Sequence, residues 1–277
     1  MRLGGPIFPD RLEPDQWIKA LQSHGYRAAY CPAALLDSPK LIQEYAEAAR
    51  QAEIVIAEVG AWSNPLSPDE PTRQAALQHC QQQLSLADEI GALCCVNISG
   101  SRGEIWDGPH PLNLTQETFE QIVESVRKII DAVSPRRAFY TLEPMPWMYP
   151  DSAESYLALL QAIDRKQFAV HFDPANLICS PQRYYGNARL IQDFFDKLGP
   201  FIKSCHAKVV RLTNALTVHL EEVRAGLGEL DYPALFKAAN RVNPNLPLMV
   251  EHLDTEQDYK VASATLKNLA KVCGEDL

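Results

Sequence analysis

Short apolar runs alternate with longer amphipathic stretches along the whole chain. The runs at residues 27–31, 54–62, 94–99, 138–143, 168–173, 202–207 and 247–252, with a weaker one at 3–8, are short, carry β-branched or aromatic residues and are bounded by turn formers. They predict strands. The stretches between them, such as 71–90, 115–133, 153–163 and 255–272, carry the wider spacing of helices. Thr115 with Glu117, and Ser152 with Glu154 and Ser155, place helix-starting side chains at the front of two of these.

Strand and helix alternating about eight times implies parallel strands joined by crossover helices. A closed barrel and an open doubly wound sheet both satisfy that order. No Gly-rich loop follows an early strand, which removes the main support for a dinucleotide-binding open sheet. The pattern therefore predicts an α/β fold, a single (β/α)8 TIM barrel over residues 1–277, a length that such barrels routinely reach. The Pro- and Gly-rich pieces at 62–71 and 100–113 read as long strand-to-helix loops rather than linkers.

Composition narrows the function classes. The formal net charge is -9, and no Lys/Arg-rich stripe offsets it, so neither nucleic acid nor an anionic membrane is an expected partner. No stretch approaches the roughly 18 apolar residues of a transmembrane helix, and residues 1–9 lack the basic start and apolar run of a secretion signal. The seven cysteines, Cys31, Cys80, Cys94, Cys95, Cys179, Cys205 and Cys273, are odd in number and nowhere in CxxC spacing. Reduced core thiols and a cytoplasmic location are the expectation.

Polar residues at the C-terminal ends of barrel strands face the active site. The fifth strand ends in Leu142-Glu143-Pro144 and the sixth in His171-Phe172-Asp173-Pro174. The seventh ends in Ser204-Cys205-His206-Ala207-Lys208, and the eighth in Val250-Glu251-His252. Four consecutive strands thus finish on Glu143, Asp173, His206 and Glu251, each after an apolar run where an unpartnered charge is costly to bury. Three carboxylates and an imidazole suit one divalent metal ion, with Mn²⁺, Mg²⁺, Co²⁺ and Zn²⁺ all compatible.

With these motifs, and with Asn176 and the run from Gly226 through Gly228 to Tyr232, the chain resembles the xylose isomerase-like TIM barrel family from about Trp17 to Leu269. That family includes tagatose 3-epimerase-like enzymes, hydroxypyruvate isomerase, inosose dehydratase and, more distantly, endonuclease IV. The branch it looks most like is the sugar phosphate isomerase/epimerase one. The resemblance implies one metal held by Glu143, Asp173, His206 and Glu251. It also implies a small carbohydrate substrate, and Glu143 and Glu251 as an acid/base pair moving a proton through a metal-bound enediolate. It leaves room for an inosose dehydratase-like lyase, an endonuclease IV-like nuclease, a non-catalytic sugar-binding barrel and a homo-oligomer. Two positions depart from the pattern: Asn176 stands where free-ketohexose epimerases carry a His, and Val209 where many relatives carry an Asp.

Other candidates follow from position. Lys208 shares a strand face with His206 and is placed to contact a substrate oxyanion. Arg211 and Arg224 lead to Gly226, where they could clamp a phosphate or carboxylate. Trp62, His110 and Trp147, with Asn64, Trp106 and Tyr149, lie in segments that would roof the mouth. His171, two residues before Asp173, is expected to support the metal site from behind. His219 is a further loop candidate, and one of Glu58 and Asn97 is expected to face the pocket.

Overall fold

A computed structural model describes residues 1–9, 11–32 and 38–277. Its elements run β1 (Arg2–Gly4), α1 (Pro14–Ser23), β2 (Ala28–Tyr30), α2 (Pro39–Gln51), β3 (Val55–Gly60), α3 (Glu70–Ile90), β4 (Cys94–Asn97), α4 (Gln116–Val133), β5 (Phe139–Leu142) and α5 (Ala153–Ile163). They continue β6 (Phe168–Phe172), α6 (Pro174–Leu177), α7 (Pro181–Tyr185), α8 (Asn187–Leu198), β7 (Ile202–His206), β8 (Val209–Leu212), β9 (Leu220–Val223), α9 (Tyr232–Val242), β10 (Pro247–Met249) and α10 (Glu256–Cys273). Eight strands close into a parallel barrel in the order β1-β10-β7-β6-β5-β4-β3-β2, with helices between them. The chain is a (β/α)8 TIM barrel, and seven of its eight barrel strands sit within runs that the hydrophobic pattern marks, β1 beginning one residue before its run.

Local chemistry starts the helices where the sequence says. Thr115 accepts a hydrogen bond from the backbone of Thr118, and Thr255 does the same for Asp258. Ser152 and Ser155 form a reciprocal capping box. Each such cap contributes about 1 kcal/mol. Gly91 ends α3 at φ 80°, a left-handed turn that costs glycine little.

The main core lies between the barrel and its outer helices. Leu84, Ile122, Leu159, Phe194, Phe236 and Leu266 are buried there. Phe172 on β6 packs against Phe194 and Phe195 of α8, with ring centroids 4.5 and 5.2 Å apart. Because side chains alternate along a strand, Phe172 facing the helices turns His171 and Asp173 toward the barrel axis.

One element was not foreseen. The segment read as a loop before Gly226 is partly an antiparallel hairpin, with Val209 opposite Val223 and Arg211 opposite Glu221. Among the described residues, no helix is long and apolar enough to cross a membrane.

Candidate metal centre

β5, β6, β7 and β10 are neighbours in the barrel, so their C-terminal ends meet. Glu143 and Asp173 directly follow the last residues of β5 and β6, His206 ends β7, and Glu251 lies two past β10. Glu143, Asp173 and His206 are buried, and the Glu251 side chain is 11% exposed. One donor atom from each converges, all within 4.8 Å of one another. His206 Nδ1 lies 2.8 Å from Glu251 Oε1, 3.5 Å from Asp173 Oδ2 and 3.6 Å from Glu143 Oε1.

Three of these atoms, Asp173 Oδ2, His206 Nδ1 and Glu251 Oε1, are buried yet make no directed hydrogen bond. Buried polar atoms are normally partnered. Three such atoms meeting at one point without a directed hydrogen bond mark a place where a cation fits.

The surroundings hold each ligand in place. Asp173 caps α6, its Oδ1 accepting from the Asn176 backbone at 3.1 Å, which leaves Oδ2 for the centre. The Asn176 amide donates to Glu143 Oε1 at 2.7 Å. Tyr156 of α5 donates its hydroxyl hydrogen to Leu142 O at 2.6 Å and accepts from the backbone of Leu142 and of His171, each at 3.1 Å. One phenol therefore braces β5 and β6 just before Glu143 and Asp173.

Behind His206 sits a second buried cluster. Glu58, on β3, receives the Ser204 hydroxyl and lies 3.1 Å from His171 Nε2 and 3.3 Å from His206 Nε2. The two imidazoles meet edge to face, 4.1 Å between centroids. A carboxylate on Nε2 keeps the hydrogen there and leaves Nδ1 as the donor toward the centre. Asn97, the alternative to Glu58, turns instead to Ser63 and Cys80.

Lys208 is not on the rim. Its Nζ lies 2.7 Å from Asp173 Oδ2, 2.8 Å from Glu251 Oε1 and 3.4 Å from Glu143 Oε1, and its side chain is 3% exposed. Burial alone would raise every carboxyl here. For Glu58 the imidazoles of His206 and His171 outweigh it and hold the carboxyl well below its usual range. For Asp173 the opposing charges are Lys208 and His206; for Glu251 they are His206 and Lys208. Glu143 goes the other way, raised because its desolvation exceeds what His206 and Lys208 return. His206 and Lys208 both rise despite burial, because the carboxylates around them favour the cations.

The remaining sequence candidates are spread wider. Trp62 and Trp147 are partly exposed, and the Trp147 indole donates to Asp107 O at 2.8 Å, tying together the loops after β4 and β5. His110 accepts from the Leu112 backbone within its own loop. Asn64 donates to Ser101 O at 2.8 Å, and Tyr149 to Leu114 O at 3.2 Å. Arg211 is not brought to the centre; it pairs with Glu221 across the hairpin at 3.0 Å. Arg224 turns to Asp258 and to the Ala225 carbonyl, and His219 lies exposed at the end of the hairpin.

The sequence reading missed His252. Held at φ 54°, where a residue other than glycine is uncommon, it places Nδ1 3.2 Å from Glu222 Oε1 and Nε2 3.8 Å from Glu251 Oε2. Its place next to Glu251 is the only sequence signal it gave.

Comparison with known proteins bears on the family and the fold. A family model described as xylose isomerase-like TIM barrel matches residues 18–269. No curated protein matches the chain. Among solved structures, the probable 3-DHS dehydratase involved in petrobactin synthesis from Bacillus anthracis superposes with a TM-score of 0.72 at 15% identity, covering 98% of this chain and 99% of that one. D-psicose 3-epimerase from Clostridium cellulolyticum H10, solved with D-tagatose, gives 0.69 at 14% identity, covering 99% and 100%. A xylose isomerase-like TIM barrel protein from Mycobacterium smegmatis in complex with magnesium gives 0.68 at 14% identity, covering 98% and 96%.

Proposed function

The chain belongs to the xylose isomerase-like TIM barrel family, and from that premise we propose that it is a metal-dependent isomerase or epimerase of a small sugar or polyhydroxy ketone. The observation that carries this reading is the convergence of three buried atoms without a directed hydrogen bond, on Asp173, His206 and Glu251, completed by Glu143. Three oxygens and one nitrogen suit Mg²⁺, Mn²⁺, Co²⁺ or Zn²⁺. Glu143, Asp173, His206 and Glu251 would hold the ion, which when bound supplies positive charge toward substrate oxygens.

The protein's own groups supply the proton chemistry. Glu143 and Glu251 sit in environments that push their proton affinities apart, Glu143 up through burial and Glu251 down through His206 and Lys208 despite burial. Glu251 would take a proton from a carbon next to a carbonyl and Glu143 would return one. Return to the same carbon from the other face is epimerisation, and return to its neighbour is isomerisation. The Asn176 amide steadies Glu143 without being able to carry a proton itself. Trp62 and Trp147 offer ring faces for the apolar side of a sugar. A dehydratase is the second reading, supported by the likeness to the 3-DHS dehydratase, since water can be lost after the same proton removal.

Metal analysis of the wild type beside His206→Ala and Glu251→Gln, with hydrogen–deuterium exchange into ketoses, inososes and hydroxypyruvate, tests the proposal. The expected result is about one metal per chain, lost in His206→Ala, and exchange that requires Glu251. Water loss without exchange would move the assignment to the dehydratase. Absence of metal even after addition of Mn²⁺ or Zn²⁺ would remove the reading altogether.

A further inference from the structure

Glu143 Oε1, Asp173 Oδ2 and Glu251 Oε1 are the three oxygens that face His206 Nδ1, and they are also the three that face Lys208 Nζ. The ammonium and the donor set of the candidate metal centre therefore share every carboxylate oxygen. A lysine buried this deeply persists only with compensating charge around it. The compensation here is mostly undirected: Asp173 Oδ2 and Glu251 Oε1 have no well-aligned hydrogen bond although Nζ is within 2.8 Å of both. The one directed bond, to Glu143 Oε1, is long at 3.4 Å.

We infer that Lys208 is the centre's built-in counter-ion, holding the three carboxylates together when no metal is bound and surrendering those oxygens to the ion when it enters. The inference rests on the metal reading above. An ammonium held by charge gives way to a divalent ion, which bonds oxygens at about 2.0–2.6 Å and attracts them more strongly. The four-carbon stem of lysine keeps the displaced ammonium inside the site. The metal-free protein thereby avoids leaving three carboxylates facing one another unneutralised.

The test uses wild type, Lys208→Met and Lys208→Gln, each stripped with a chelator and titrated with Mn²⁺ by calorimetry, with thermal melts before and after. Both variants are expected to bind Mn²⁺ at least about tenfold more tightly than wild type, the scale on which a neighbouring charge acts on a buried group. Their metal-free melting temperatures are expected to fall below that of wild type, and Mn²⁺ is expected to close most of that gap. If a stripped variant does not stay folded, refolding with and without Mn²⁺ replaces its melt, and metal-dependent recovery supports the inference. Equal or weaker Mn²⁺ binding by the folded variants would overturn it while leaving the metal centre standing. No uptake by any of the three proteins would overturn the metal reading as well.

Discussion

Glu58 Oε2 lies 3.3 Å from His206 Nε2, on the side of the imidazole opposite the atom that faces Glu143, Asp173 and Glu251. The ring is thus read from both edges: one nitrogen is fixed by a carboxylate from β3, and the other is left to the centre.

Replacing Glu58 by Gln keeps an acceptor for Nε2 but removes the charge, whereas Glu58→Leu removes both. Partners of this kind typically account for about 10–100-fold in metal affinity. We expect Glu58→Gln at the lower end of that range and Glu58→Leu at or beyond the upper end. Calorimetric titration with Mn²⁺ measures both, and equal affinity in all three proteins would show that Glu58 does not orient His206.

Tyr156→Phe deletes one oxygen and leaves two backbone N–H groups and a carbonyl without their partner inside the protein. Buried groups left unsatisfied in this way cost about 1–3 kcal/mol. The urea midpoint is expected to fall accordingly with the slope unchanged. A midpoint equal to wild type would mean that the hydroxyl does not brace the strands.

Protons and metal should oppose one another. The folded protein raises His206 above its unfolded value, so the stability from its charged form is full below about 6.5 and is lost as pH rises through the folded value. Glu143, raised mainly by burial, follows the same trend from the carboxylate range upward. Asp173 and Glu251 are lowered despite burial, so their contribution is present above about 4 and is lost as pH falls through their folded values. Chelator-treated protein should therefore be more stable near pH 5.5 than near pH 9, while Mn²⁺ affinity rises with pH as His206 gives up its Nδ1 proton. Melts and titrations across that range measure both, and parallel trends would contradict the assignment.

Of the seven cysteines, Cys179 and Cys273 are exposed, Cys31 is half-buried, and the other four are buried. Burial pushes the Cys31 thiol up to about 12, so little reactive thiolate forms at ordinary pH. A thiol reagent at pH 8 is expected to label Cys179 and Cys273 quickly and the remaining five only after unfolding. Fast labelling of Cys31 would show that its thiol becomes accessible in the folded protein.

The barrel and its four strand-end residues were readable because both follow from short-range pattern. Alternation of apolar runs sets the element order, and a charged residue closing such a run stands out. What was not readable depended on distance in the chain. Glu58 is 148 residues from His206, and a carboxylate inside an apolar strand does not announce its partner. Lys208 was correctly placed on the His206 face, but alternation could not say how far the long stem folds back into the centre. Asn176 stood out in the sequence only as a departure from the family pattern; that the turn begun by Asp173 delivers its amide to Glu143 depends on the fold. The hairpin escaped notice because Arg211, Glu221 and Glu222 break the apolar runs that otherwise mark strands.

The Tyr156 hydroxyl touches both β5 and β6 one or two residues short of Glu143 and Asp173. Those two carboxylates are consequently mounted on a common splint, and neither can be shifted without carrying the other. The loops after β3, β4 and β5, which carry Trp62, Trp106 and Trp147, are free of that splint and can vary without disturbing the spacing of the two carboxylates.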